Sequence, residues 1–157
     1  MFKFLRLIAL SLLVFTASCS KSDNEVDLSD LQIFTPEGGV RAAYKVEVAD
    51  TKEKMFNGLM GRSSLDINSG MVFDIDILPQ DMEVALWMKD TLIPLDVIFV
   101  DENGVVFSYY ENARPNDVTP IYPPKRPRLV LEVNGGQIAQ YGISIGDKFD
   151  FYLLNKK

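Results

Sequence analysis

Two short runs, PLDVIFV at residues 94–100 and RLVLEV at 128–133, constrain this chain most. Side chains alternate along a strand, so Leu95, Val97 and Phe99 share one face of the first run while Asp96, Ile98 and Val100 share the other. Both faces are apolar, which places such a strand in the middle of a sheet covered on each side. Each run also holds one carboxylate, Asp96 and Glu132, among apolar neighbours. An unpaired buried charge is costly, so both acids call for partners, and Arg62 and Lys89 are the natural candidates.

The remaining pattern is mostly strand. LQIF and VRAAYKVEV flank the turn TPEGG and predict a hairpin, with Val40, Ala42, Tyr44, Val46 and Val48 on one face. A short helix is expected over about 51–58, capped by Asp50 with Glu53 completing a capping box and Gly58 closing it. GMVFDI, MEVALWMK, VVFSYYE and KFDFYLL read as further strands, GQIAQYG as a second short helix, and Asn103-Gly104 as a hairpin turn. ARPNDVTPIYPPKRP (113–127) carries five prolines and cannot be a ladder strand, so it must run over the surface, as a lid on a pocket or as a rigid crossover. The expected fold is mainly β: a compact single-domain barrel or sandwich of about seven or eight short strands with two short helices.

The 157 residues suit one folded domain. Ahead of it, Lys3 and Arg6, an apolar run from Leu7 to Phe15 and small residues up to Cys19 read as a secretory leader. Thr16-Ala17-Ser18-Cys19 resembles a bacterial lipobox, which predicts a signal peptide over 1–18, acylation of Cys19, a flexible polar tether over 19–30 and the β domain over 31–157. Acyl chains, palmitate among them, contribute about 0.8 kcal/mol per buried CH₂ and would hold the protein on a membrane surface. Ser20 after the cysteine favours the outer membrane, facing the periplasm. Cys19 is the only cysteine, so no intramolecular disulfide can form. Loss of the leader leaves 14 basic against 22 acidic residues, a charge of −8 that argues against nucleic-acid binding.

The chain has no histidine, which removes Ser-His-Asp and Cys-His catalysis and every His-bearing zinc site. No cofactor motif is present, because neither GLMGR nor GISIGD has dinucleotide or P-loop spacing. Three functional readings remain. In the first, a non-enzymatic domain binds a small polar ligand or an envelope protein in a cleft formed by Arg62, Trp87, Lys89, Thr91, Asp96 and Glu132, where the ring offers an apolar platform and the charges orient the ligand. In the second, the thioethers of Met60, Met71, Met82 and Met88 hold Cu(I) beside Trp87; the plainer reading of these residues is adaptable core packing. In the third, Asp96 and Glu132 flank a glycan bond as a hydrolytic carboxylate pair.

GLMGR, GMVF, WMKDT, IPLDVIF, LEV followed by GG, and GISIGD occur in the order and spacing of the domain-of-unknown-function 192 (DUF192) family, a resemblance running from about Leu31 to Leu154. It implies a small, predominantly β domain, often exported or lipid-anchored in bacteria, and carries over no activity. The family motif usually reads Trp-Met-Lys-Asn-Thr; here Asp90 stands for the asparagine and puts an acid beside Lys89.

Overall fold

The computed structural model describes residues 28–155. The leader, Cys19 and the tether as far as residue 27 lie outside them. Seven strands form one sheet in the order β5-β4-β6-β3-β2-β1-β7. They are β1 Leu28–Phe34, β2 Val40–Ala49, β3 Ser69–Asp74, β4 Leu95–Val100, β5 Val106–Ala113, β6 Leu129–Asn134 and β7 Lys148–Asp150. All neighbours run antiparallel except β2 and β3, which are parallel and joined across helix α1, Lys52–Asn57. A second helix, α2 Gln137–Tyr141, follows β6. The sheet curls until its outermost strands meet: Val105 bridges Lys148, and the Val106 amide donates to the Asp147 carbonyl at 2.8 Å.

The doubly apolar runs became the centre of this sheet. Every residue of β4 is buried, and so are the first five of β6. Alternation sends their side chains into two separate cores. One, inside the curl, collects Ile98, Val100, Leu131 and Val133 with Tyr44, Val46 and Val72. The other, on the outer face, collects Leu95, Val97, Phe99 and Val130 with Met71, Phe73, Leu59 and Met88. A single barrel interior would need apolar residues on one face alone; the second face is apolar because α1 and the long segment between β3 and β4 cover it.

The first hairpin forms as expected, with Ala42, Tyr44, Val46 and Val48 buried and Val40 left exposed at its end. β1 starts at Leu28, three residues ahead of the expected boundary, because Leu28, Ser29 and Asp30 continue the ladder against Glu47, Val46 and Lys45. Thr51, not Asp50, caps α1: its hydroxyl accepts the Lys54 amide at 3.2 Å, while Asp50 pairs with the Lys54 ammonium. The segment MEVALWMK is not a strand. Only Leu86 pairs, through an isolated bridge to Ile121, so the segment lies across the outer face and bonds to the proline-rich stretch rather than to the sheet. KFDFYLL stops being a strand after Asp150 and turns into a 3-10 helix, Tyr152–Asn155, which lets Phe151 and Leu153 enter the inner core. Among the described residues no helix is long and apolar enough to cross a membrane.

Candidate functional site

The covering layer does not seal the outer face. Between it and the sheet lies a cavity of about 290 Å³, floored by Phe73 of β3 and by Val130 and Glu132 of β6. Met55, Phe56, Gly58 and Leu59 wall it from α1 and its exit, and Leu78, Met82, Val84, Leu86 and Trp87 line it from the opposing segment. Gly58 has a φ of +47°, and a Cβ there would stand 3.3 Å from the Phe73 ring, so the missing side chain is what lets the helix exit settle against the floor. Phe56, Met82 and Trp87 are all exposed, which gives the cavity an apolar mouth.

The far side is held by arginine. Arg126 donates to the carbonyls of Met82, Ile75 and Leu78 at 2.9, 3.0 and 3.1 Å, fixing the segment that carries Leu78 and Met82. Arg128 pairs with Asp74 at 2.5 Å and Asp76 at 2.9 Å. Lys125 reaches Asp101 and lies over the Phe107 ring. Lys125, Arg126 and Arg128 are therefore braces, each with a partner.

Glu132 is the chemically unusual group. It is 6 % exposed, and none of the described residues bonds its carboxyl. Burial alone pushes its pKa up to about 8, so the neutral acid predominates at pH 7. The other buried acids are all satisfied. Asp96 accepts the amides of Asn112 at 2.8 Å and Ile138 at 2.7 Å, Asp147 accepts the Ser144 amide and pairs with Arg41, and Asp74 has Arg128.

The partners expected for Asp96 and Glu132 are placed elsewhere. Arg62 forms a two-pronged pair with Glu47 of β2, which holds the guanidinium protonated, and Lys89 pairs with Asp90 at the surface. Asp96 needs no cation because backbone amides serve it: it supplies the side-chain acceptor that Gly136, at the N-cap of α2, lacks. Of the six expected cleft residues, Trp87, Thr91 and Glu132 line the cavity, whereas Arg62 borders a second depression and Lys89 and Asp96 lie outside it. Trp87, Lys89 and Thr91 do not share a strand face, since residues 89–90 form a turn. Asp96 and Glu132 project from opposite faces of the sheet and cannot flank one bond, which removes the hydrolytic pair.

Of the methionine set, Met60 and Met82 reach the cavity, Met71 borders the second depression and Met88 is buried in the outer core. Among the described residues no cluster of three or more His, Cys, Asp or Glu could hold a metal ion. Sequence reasoning passed over Met55 and Phe56, and took Arg126 only as one basic residue of the proline-rich stretch. Phe56 alone left a signal: a large aromatic in a six-residue helix with no buried position.

The motif segments turn out to bond one another. Within WMKDT, the Thr91 amide donates to the Met88 carbonyl at 3.1 Å, and Asp90 takes a left-handed φ of +54°. Its carbonyl accepts the amide of Gly61, from GLMGR, at 2.7 Å. Asparagine and aspartate tolerate that conformation better than other side chains, which accounts for the Asn-to-Asp exchange at this position. The DUF192 family model, described as an uncharacterized ACR, matches residues 33–151. This chain belongs to the DUF192 family.

Two solved structures extend the comparison. A protein of unknown function from Novosphingobium aromaticivorans DSM 12444 is 31 % identical, with a TM-score of 0.74 over 83 % of this chain and 90 % of that one. A Sinorhizobium meliloti 1021 protein, proposed by its name as a transcription regulator, is 30 % identical, with a TM-score of 0.73 over 82 % of this chain and 98 % of that one. The alignment takes in nearly the whole of that second chain, which folds there without a further domain. None of the curated proteins matches this chain.

Proposed function

We propose that this DUF192 domain is a non-enzymatic binding module that takes a small amphipathic ligand into the cavity over β3 and β6. One observation carries the reading: Glu132 is a buried carboxyl that no described residue bonds, on the floor of a mainly apolar cavity. Ionising such a group with no cation beside it is costly. A ligand that bonds the carboxyl while covering the aromatic and methionine walls removes the penalty. Thermal shift of residues 20–157 against a panel of small amphipaths tests this. A binder at a hundred times its Kd adds about 2.7 kcal/mol of stability, and Met82→Trp at the mouth should block entry and abolish the shift. If no member stabilises the domain, the reading fails.

The module would hang from the outer membrane, facing the periplasm, by an acylated Cys19. Palmitate labelling that disappears in Cys19→Ala supports the anchor; unchanged labelling refutes it. The regulator name of the Sinorhizobium meliloti protein finds no support in this chain, whose formal charge is −6 and whose Lys125, Arg126 and Arg128 are paired within the fold.

A second reading, Cu(I) handling, is favoured by one fact: Met55, Met60 and Met82 line the same cavity. Competition with a Cu(I) chelator decides it, since failure to draw copper from the chelator ends the idea.

A further inference from the structure

Resting on the binding-module reading, we infer that the ligand is an organic cation, an ammonium group on an apolar body, with its head against Glu132. The strongest argument is a contrast within the molecule. Asp96 and Asp147 are more buried than Glu132 and Asp74 nearly as much, and each has a donor supplied by the fold. Glu132 has the environment of a salt-bridged acid without its cation. Arg62 and Lys89, the cations that might have served, are held by Glu47 and Asp90.

The cavity's other charged lining residues are Lys52 of α1 and Glu83 of the covering segment. From the strands that flank β6, the outer face presents only apolar side chains near Glu132, Met71 and Phe73 of β3 and Val97 of β4. Phe56, Phe73 and Trp87 supply ring faces, which attract a cation as well as an apolar body. The volume, about 290 Å³, is roughly twice that of a cavity that accepts benzene, enough for a phenylalkyl chain. A formal charge of −8 without the leader (14 basic against 22 acidic residues) draws cations to the domain.

The proton balance makes the inference measurable. Glu132 begins as the neutral acid; an arriving ammonium forms a carboxylate–ammonium pair, and the carboxyl proton leaves to solvent. Affinity for a cation therefore rises with pH until it passes about 8, where Glu132 is already ionised. A neutral ligand accepting a hydrogen bond from the acid would bind with no pH dependence below about 8 and more weakly above it.

Calorimetry of residues 20–157 with 4-phenylbutylamine and its neutral counterpart 4-phenylbutan-1-ol at pH 6, 7 and 8 tests the assignment. The amine should bind at least about ten-fold more tightly than the alcohol at pH 8, and its Kd should fall by close to ten-fold per pH unit below that, with one proton released. Glu132→Gln should erase the preference for the amine and leave alcohol binding in place. The wild-type pH slope stands as an independent readout if that variant folds poorly. Equal or tighter alcohol binding overturns the cation assignment and leaves the binding-module reading standing. An amine that binds Glu132→Gln undiminished also overturns it. Absence of binding by both compounds at every pH overturns the assignment; the module falls with it only if the amphipath panel also gives no stabilisation.

Discussion

Glu132→Gln should make the domain more stable at alkaline pH, and the size of the effect follows from the burial of one carboxyl. Its pKa is raised from 4.5 to about 8 by desolvation, with no charge partner to offset it. Between those values the folded protein keeps a proton that the unfolded chain has released. The contribution of the neutral acid is thus full below pH 4.5 and is lost as the pH rises through about 8. Each pH unit corresponds to about 1.4 kcal/mol, so the whole interval amounts to about 5 kcal/mol as an upper limit. Glutamine stays neutral throughout and shows no such loss. The assay is urea unfolding of both proteins from pH 5 to 9, read from the fluorescence of Trp87, the only tryptophan, which lines the same cavity. Taking the difference between the two proteins removes the titration of every other acid. Its stability relative to wild type should climb through pH 5–8 and level off above. A difference curve flat over that range would mean that Glu132 ionises normally in the folded protein, and the account of an unpartnered buried acid would be wrong.

Asp96→Ala should cost about 2–4 kcal/mol in urea unfolding, because it orphans the buried Ile138 amide and the part-buried Asn112 amide, and Asp96→Asn should cost less because one acceptor oxygen remains. A loss below about 1 kcal/mol for the alanine variant would refute the capping role. Asp90→Asn should be neutral within about 0.5 kcal/mol and Asp90→Val should lose about 1–2 kcal/mol, reflecting the left-handed backbone; equal melting temperatures for the two variants would contradict this. Gly70→Ala places a Cβ 2.6 Å from the Glu132 carbonyl oxygen and should destabilise by about 1–3 kcal/mol, with faster amide exchange in β3 and β6. Arg126→Ala should speed amide exchange over residues 75–82 while leaving β4 and β6 protected; exchange unchanged there would show that the arginine does not brace the cavity.

The sheet was legible because its information is local. Strand period, two-sided apolarity and turn chemistry mark β3, β4, β6 and both hairpins within a few residues each, and the family motifs added membership. MEVALWMK misled for the same reason. Its alternation is real, yet what a segment pairs with depends on distant chain, here Ile121 and Asp117 of the proline-rich stretch. Proline density correctly excluded a ladder strand from that stretch and gave no sign that Arg126 would brace the opposite loop.

The candidate site divides along the same line. That Glu132 would be a buried acid followed from its strand alone; that it would be unpartnered did not. Pairing is a matter of three-dimensional reach, and nothing in the order of residues says that Arg62 meets Glu47, that Lys89 meets Asp90, or that Asp96 is satisfied by amides from β5 and α2. Nor could alternation show that adjacent strands send Asp96 inward and Glu132 outward, since the period assigns sides without naming them. The sequence by itself determined a mainly β domain with two acids buried in its central strands. Only the tertiary structure decided which of them was left without a partner, because that depends on what the covering α1 and the 75–91 segment bring over the sheet's outer face.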